Sequence, residues 1–226
     1  MFLLDFCSRC DFDFDVVHFN HNIRQDSLRD LDVINEAVAK INLEKLRADK
    51  RQIRTHYGQG QGLSDIPNQE AEAYKQRWEF VEQIVFRRRN AWTDEQPWDS
   101  MSGGHSGEEA FYHRNQCPTP LVITAHHLND NIESALMDLM RGKEHNQLGM
   151  VEHKYFMYYS KFKPLLNVTK AEIIEQANNR SLKWNEDSTN TDNKNERNWL
   201  RNVIVPQLME RRNLETSMQG PLSKRH

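Results

Sequence analysis

The sequence predicts an α/β protein, a parallel sheet with helices on both faces. Three observations predict it. Short β-branched runs alternate with stretches of helical periodicity, as in a parallel sheet with crossover helices. Leu121–Gly142, LVITAHHLNDNIESALMDLMRG, reads as strand, polar turn and amphipathic helix in succession. Its polar residues gather at the carboxyl end of the strand, where open α/β sheets bind ligands.

Met1–Cys10, MFLLDFCSRC, is mostly apolar and reads as the tail of a helix. Val16–Phe19 is a strand candidate, followed by a polar loop over Asn20–Arg24. Ser27 is placed to cap a helix in which Leu31, Ile34 and Val38 recur at spacings of three and four. Ile41–Leu46 reads as the next strand, and Arg47–Asp65, charged and Gly-containing, as a loop. Asn68–Arg89 is a helix: Ala71, Tyr74, Trp78, Val81 and Val85 keep one stripe, and the run ends in Arg87-Arg88-Arg89. Residues 90–120 are polar, contain Gly and Pro, and read as an insertion.

In the central unit, Ile132, Ala135, Leu136, Leu139 and Met140 fall on one helix face. Asn129 is a fair N-cap and Gly142 a plausible stop. His126, His127, Asp130 and Glu133 crowd the turn, with Asp130 and Glu133 neighbours at i, i+3. Two readings stay open. The cluster is a binding or catalytic site, or it is a turn whose acids merely suit the helix dipole. The adjacent histidines lack the i, i+4 spacing of a zinc helix.

Glu144–Lys163 reads as containing a hairpin or an edge strand. Thr169 caps a helix, with Glu172 three later as in a capping box. Asn185–Glu196 is a loop of Asp, Asn, Ser and Thr without the glycine and terminal Glu spacing of an EF-hand. Arg197–Met209 resumes helical spacing. Arg197 and Arg201 share a face there, either solvated or gripping a phosphate or carboxylate. The tail Glu210–His226 is polar and expected to fray.

A chain of 226 residues with net charge −3 can build one α/β domain and a small appendage. A mean hydropathy of −0.86 points to polar insertions on the core. No run of 18 apolar residues exists, so no transmembrane helix is expected. Three cysteines do not make a disulfide scaffold, which favours a reducing, cytoplasmic setting. Cys7-Ser8-Arg9-Cys10 is a CxxC pair, but Cys117 has no close companion and a cluster or zinc needs about four ligands. Mild acidity does not exclude RNA, because local basic patches matter more than the total.

Thr124–Gly142, TAHHLNDNIESALMDLMRG, resembles the signature of the PP-loop N-type ATP pyrophosphatases, specifically the tRNA(Ile)-lysidine synthetase family. That pattern is Ala-His-His-x-Asp-Asp-x-x-Glu-Thr followed by a helix ending Arg-Gly. Asn129 stands where the first Asp is usual and Ser134 where Thr is usual, while Asp130, Glu133, Arg141 and Gly142 match. Further segments are similar in family order. They are Val17–Arg24; Glu70-Ala71-x-Ala73 with Arg77-Trp78-x-Phe80; Lys163-Pro164-Leu165-Leu166; Trp184-x-x-Asp187-x-x-Asn190-x-Asp192; and Arg197-Asn198-x-x-Arg201 with Pro206-x-Leu208.

The resemblance implies an adenine nucleotide alpha hydrolase-like fold. It implies a PP-loop ATPase-like domain over 1–166 interrupted by the insertion at about 90–120, a helical extension over 167–212, and a tail over 213–226. It implies lysidine formation: ATP adenylates C2 of cytidine 34 in the CAU-anticodon isoleucine tRNA, and L-lysine then displaces AMP. ATP and Mg²⁺ are the implied cofactors, and a homodimer is compatible. Asp130, Glu133 and His127 are the implied catalytic residues, with Asp130 also the implied Mg²⁺ ligand. His18, Asn20, Arg24 and His126 would bind nucleotide, and Arg197, Asn198, Arg201 and Asp187 would meet tRNA or substrate.

The family's Ser-Gly-Gly-x-Asp-Ser loop is expected to lie outside this chain, because Met1-Phe2-Leu3-Leu4 looks like the residues that follow it. An internal start codon, a split gene and a degenerate relative each account for that. Ser102-Gly103-Gly104-His105-Ser106 is a superficial likeness, with no strand before it and no Asp at the fifth place. A non-catalytic nucleotide- or RNA-binding remnant and another PP-loop enzyme, such as a thiolase, are the alternative functions.

Overall fold

The computed structural model describes residues 1–22, 28–63, 69–95, 119–185 and 188–219. In chain order the elements are α1 (Phe2–Ser8), β1 (Val16–Asn20), α2 (Leu28–Arg47), β2 (Thr55–Gln59), α3 (Gln69–Glu95), β3 (Leu121–Ile123) and α4 (Leu128–Met140). Then follow β4 (His153–Tyr155), β5 (Ser160–Phe162), α5 (Lys170–Asn179), α6 (Glu196–Trp199), a π-helical turn (Leu200–Ile204), α7 (Val205–Arg211) and α8 (Leu214–Gln219). The α/β class is as expected.

The chain divides into two compact units. One comprises Met1–Cys10, Val122–Tyr155 and Lys161–His226, the other Asp11–Leu121 and Phe156–Ser160. In the second unit β1 and β2 pair in parallel, Val16 opposite Thr55 through Asn20 opposite Gln59, and α2 lies between them in sequence. Two expectations are corrected here. Ile41–Leu46 is not a strand but the last part of α2. Ile41 and Lys45 continue the Leu31, Ile34, Val38 stripe; Lys45 is buried with its ammonium 5.8 Å from the centre of the Phe14 ring, while Leu43 and Leu46 face outward. Asn42 then ties α2 to the following segment, accepting from the Ile53 N–H at 2.6 Å and donating to its carbonyl at 2.9 Å.

The second correction is that Arg47–Asp65 is not all loop, since it contains β2. Its sequence, THYGQ, carries little apolar signal, and the ladder with β1 makes it a strand. Gly58 is required there. A Cβ at this position would lie 2.6 Å from the Phe19 ring and 2.7 Å from the Phe80 ring, so its absence lets α3 approach the sheet. Before β1, Asp15 takes Arg51 at 2.9 Å, Arg88 at 3.2 Å and His56 at 3.3 Å. Those partners hold its carboxyl below the usual range although burial opposes them.

In the first unit the strand order is β3-β5-β4. The Lys163 N–H donates to the Glu152 carbonyl at 2.9 Å, closing β4 and β5 as a hairpin, and the Thr124 N–H donates to the Phe162 carbonyl at 3.0 Å. The expected hairpin is therefore present, with β4 on the edge. Leu128, Ile132, Leu166 and Leu200 are fully buried and form the centre of the unit. The turn before β4 is fastened to α4: the Gly149 N–H donates to Asp138 at 3.0 Å and the Met150 N–H to Asn131 at 2.6 Å. Gly142, at φ +73°, ends α4 as its sequence position suggests.

Thr169 and Glu172 form the expected capping box of α5. The Thr169 hydrogen bonds also hold the Glu172 carboxyl below its usual range. Arg180 at the end of α5 pairs with Asp5 of α1 at 3.1 Å. Cys7 is buried in α1, and Cys10 lies just beyond that helix. The tail differs from expectation at Leu214–Gln219, which is helical as α8. Among the described residues no helix is long and apolar enough to cross a membrane.

Candidate functional site

The site in the first unit begins at the β3–α4 turn. The N-cap of α4 is His127, not Asn129. The Asp130 N–H donates to His127 Nδ1 at 3.3 Å, and the His127 N–H returns a bond to Asp130 Oδ2 at 3.1 Å. This is a capping box with imidazole in place of a hydroxyl. It requires Nδ1 without its proton. Burial pushes the His127 pKa down, outweighing the upward pull of Asp130 and Glu133, so the cap is neutral. His126 sits one residue earlier with Nδ1 2.9 Å from Thr124 Oγ1.

The cap at 127 frees the Asn129 side chain for other work. Its Nδ2 donates to Glu215 of α8 at 2.8 Å, and its Oδ1 accepts from the Lys170 N–H at 2.8 Å. The starts of α4 and α5 are thereby joined to α8.

One turn into α4, Glu133 is 2% exposed. A carboxylate so deep needs compensation. Arg197 Nε donates to its Oε2 at 2.8 Å, Arg201 Nε to Oε1 at 2.7 Å and Arg201 Nη2 to Oε2 at 2.9 Å. The same guanidinium groups reach Asp130 Oδ1, at 3.2 Å from Arg197 and 3.5 Å from Arg201. Two carboxylates thus face two cations, a neutral lattice with two-toothed Arg–carboxylate geometry.

The two arginines are aimed by their helix. Asn195 caps α6, its Oδ1 accepting from the Arg197 and Asn198 N–H groups at 2.8 and 3.3 Å. The π turn follows at once and contains Arg201, with Leu200 buried beneath it. Such wide turns recur at functional sites. Asn190 accepts from Arg201 Nη1 at 3.0 Å, which fixes the guanidinium plane.

The structure therefore brings His127, Asp130, Glu133, Arg197 and Arg201 together. Asn198 does not join them. Its Nδ2 donates to the Asp192 carbonyl at 3.0 Å and so supports the preceding loop. Asp187 and Arg24 lie outside the described residues, as does Ser102–Ser106. Sequence reasoning missed Asn190 and Asn195 as supports. The signal for Asn195 was present, an Asn directly before Glu-Arg-Asn at a helix start.

The lattice bears on magnesium. Both Asp130 oxygens already accept from N–H donors, and among the described residues no group of three or more His, Cys, Asp or Glu side chains could hold a metal. Among the described residues Asp130 is therefore not part of an all-protein oxygen cage.

Residues 112–208 match the family model described as a PP-loop domain. That stretch contains β3, α4 and the whole Asp130–Glu133–Arg197–Arg201 lattice. The chain is 43% identical over 94 residues to tRNA(Ile)-lysidine synthase of Haemophilus ducreyi, an alignment covering 40% of this chain and 22% of that protein. It is 39% identical over 92 residues to the synthase of Histophilus somni, again 40% and 22%. It is 41% identical over 118 residues to that of Actinobacillus succinogenes, covering 50% and 28%. These alignments span well under a third of each relative's length. The PP-loop domain is the fold class that the sequence resemblance implied.

In the second unit, His18 and Asn20 line a cavity of about 200 Å³ with Leu31, Tyr57, Gly58 and Gln59. His18 Nε2 is buried with no hydrogen-bond partner among the described residues, and burial pushes its pKa down. Asn20 turns the chain after β1 by accepting from the Asn22 N–H at 2.8 Å. Arg77 of α3 is a residue whose role the sequence did not assign. Its Nε is buried without a partner among the described residues, and its guanidinium lies 5.5 Å from the Tyr74 ring centre and 6.0 Å from that of Trp78.

Proposed function

We propose that this chain serves ATP-dependent lysidine formation on the CAU-anticodon isoleucine tRNA. The observation that carries the reading is the Asp130–Glu133–Arg197–Arg201 lattice, set at the carboxyl end of a strand inside a PP-loop domain similar to tRNA(Ile)-lysidine synthases. In this reading the cytidine C2 oxygen attacks the α-phosphorus of ATP and pyrophosphate leaves. The lysine side-chain nitrogen then bonds to C2, the C2–O bond breaks, and AMP departs with the oxygen.

The chain's own groups suit the second half of that chemistry. Asp130, the more exposed of the two acids, accepts the proton that the lysine nitrogen sheds on bonding to C2, and buried Glu133 holds the arginines that flank it. Arg197 and Arg201 answer the charge of both acids, and their part-exposed guanidinium groups suit phosphate oxygens. Neutral His127 holds the turn and His126 lies beside it. Asn198 and Asp187 are assigned to tRNA or substrate in the same proposal, and residues 167–212 act as a helical extension of the catalytic domain. His18, Asn20 and Arg24 are proposed for the nucleotide, and Arg77 as a cationic anchor for an anionic substrate group.

The test is pyrophosphate release from ATP with a CAU-anticodon transcript present. Release that requires lysine supports the reading. Release that requires ammonia or a sulfur donor instead favours another PP-loop enzyme. RNA binding by the folded chain with no release favours the non-catalytic alternative.

A further inference from the structure

The hairpin edge of the first unit offers a second surface. β4 is the outer strand of the β3-β5-β4 sheet, and all three of its residues are exposed. Tyr155 is 76% exposed, an unusual position for a large aromatic side chain. The His153 ring centre lies 4.3 Å from that of Tyr155 with the planes tilted by 36°, and His153 in turn lies 5.8 Å from Phe162 of β5. His153, Tyr155 and Phe162 share one face of the hairpin, because alternate residues of a strand point the same way. Lys154, Lys161 and Lys163 belong to the opposite face, where Glu152 is the acid in the same register and the Lys163 ammonium donates to the Val151 carbonyl at 2.8 Å. A ribbon with an aromatic side and a cationic side stands on a chain whose net charge is −3.

We infer that this edge is a single-stranded RNA contact, in which a base stacks on the exposed Tyr155 ring and the adjoining phosphate runs past Lys154 of the same strand. Stacking platforms beside lysines are the general means of holding single strands. A protein strand is the less suited occupant. Three residues present few backbone groups for strand addition, and lysine on an edge opposes it. The choice of RNA as partner rests on the lysidine reading above. The surface would hold an unpaired part of the substrate.

The experiment uses the full chain and a fluorescent 12-nucleotide pyrimidine RNA, with affinity measured across salt concentrations and self-association followed by sedimentation. Tyr155→Ala is expected to weaken binding about 5- to 150-fold with the salt slope unchanged, and Tyr155→Phe to retain it. Lys154→Ala is expected to lower the salt slope by about 0.7 with a smaller loss of affinity. Unchanged affinity in Tyr155→Ala overturns the inference. So does a dimer that Tyr155→Ala dissolves and RNA does not, which would assign the edge to a second copy. The outcome is separable from the lysidine reading. Lysine-dependent pyrophosphate release with Tyr155-independent RNA binding removes the surface alone; the converse removes the reading alone.

Discussion

Replacing Glu133 by Gln tests the lattice at its most buried point. The Glu133 side chain is 3% exposed, while those of Arg197 and Arg201 are 33% and 28% exposed. The substitution keeps the shape but removes the charge that both guanidinium groups answer, and the new amide places N–H groups against N–H groups. Breaking a buried ion pair by removing one partner costs about 3–5 kcal/mol. The arginines can turn partly to water, so the lower end applies, about 3 kcal/mol. For a chain of this size that is a fall of about 6–12 °C in Tm. The assay is urea unfolding followed by circular dichroism, with Arg201→Gln and the double variant completing a cycle. The sum of the two single losses should exceed the loss in the double variant by about 1.5 kcal/mol or more, since each single variant leaves a charge unanswered. A loss under about 1 kcal/mol in Glu133→Gln, with additive singles, would refute the lattice as drawn.

Three other outcomes follow from the same geometry. The folded pKa of His127 lies below its ordinary value, so its contribution to stability is full above about pH 6.5 and is lost as pH falls through the folded pKa. The urea midpoint of His127→Asn, which caps without titrating, should vary less between pH 8 and pH 5.5 than that of the parent. Asp15 is also depressed, and its contribution is present above about pH 4 and lost on further acidification; Asp15→Asn should destabilise the chain at neutral pH and narrow the difference in acid. Gly58→Ala forces a methyl into the Phe19 and Phe80 rings and should cost about 1–3 kcal/mol in a thermal melt.

The parts of the molecule legible in the sequence are those whose signal is local. The β3–α4 unit carried its own apolar run and its own helical face, and Thr169 with Glu172 spelled a capping box within four residues. The parts that were missed depend on neighbours. β2 is polar and becomes a strand by pairing with β1, while Ile41–Leu46 has strand-like composition but continues a helical stripe. The cap at His127 was hidden because imidazole is not a usual cap, and Asn129 two residues on was the ordinary choice. For the site, sequence spacing placed Asp130 beside Glu133 and Arg197 beside Arg201. It could not say that the two pairs, more than sixty residues apart, would close on each other. Nor does any residue pattern announce the π turn that carries Arg201.

The measurement that bears most directly on the central claim is nucleoside analysis of a CAU-anticodon isoleucine tRNA transcript incubated with the chain, ATP and L-lysine. The account predicts a modified cytidine heavier by one lysine less water, formed by the parent chain and abolished by Asp130→Asn in a protein that remains folded. An unmodified transcript from the folded parent chain, or equal modification by Asp130→Asn, would contradict it.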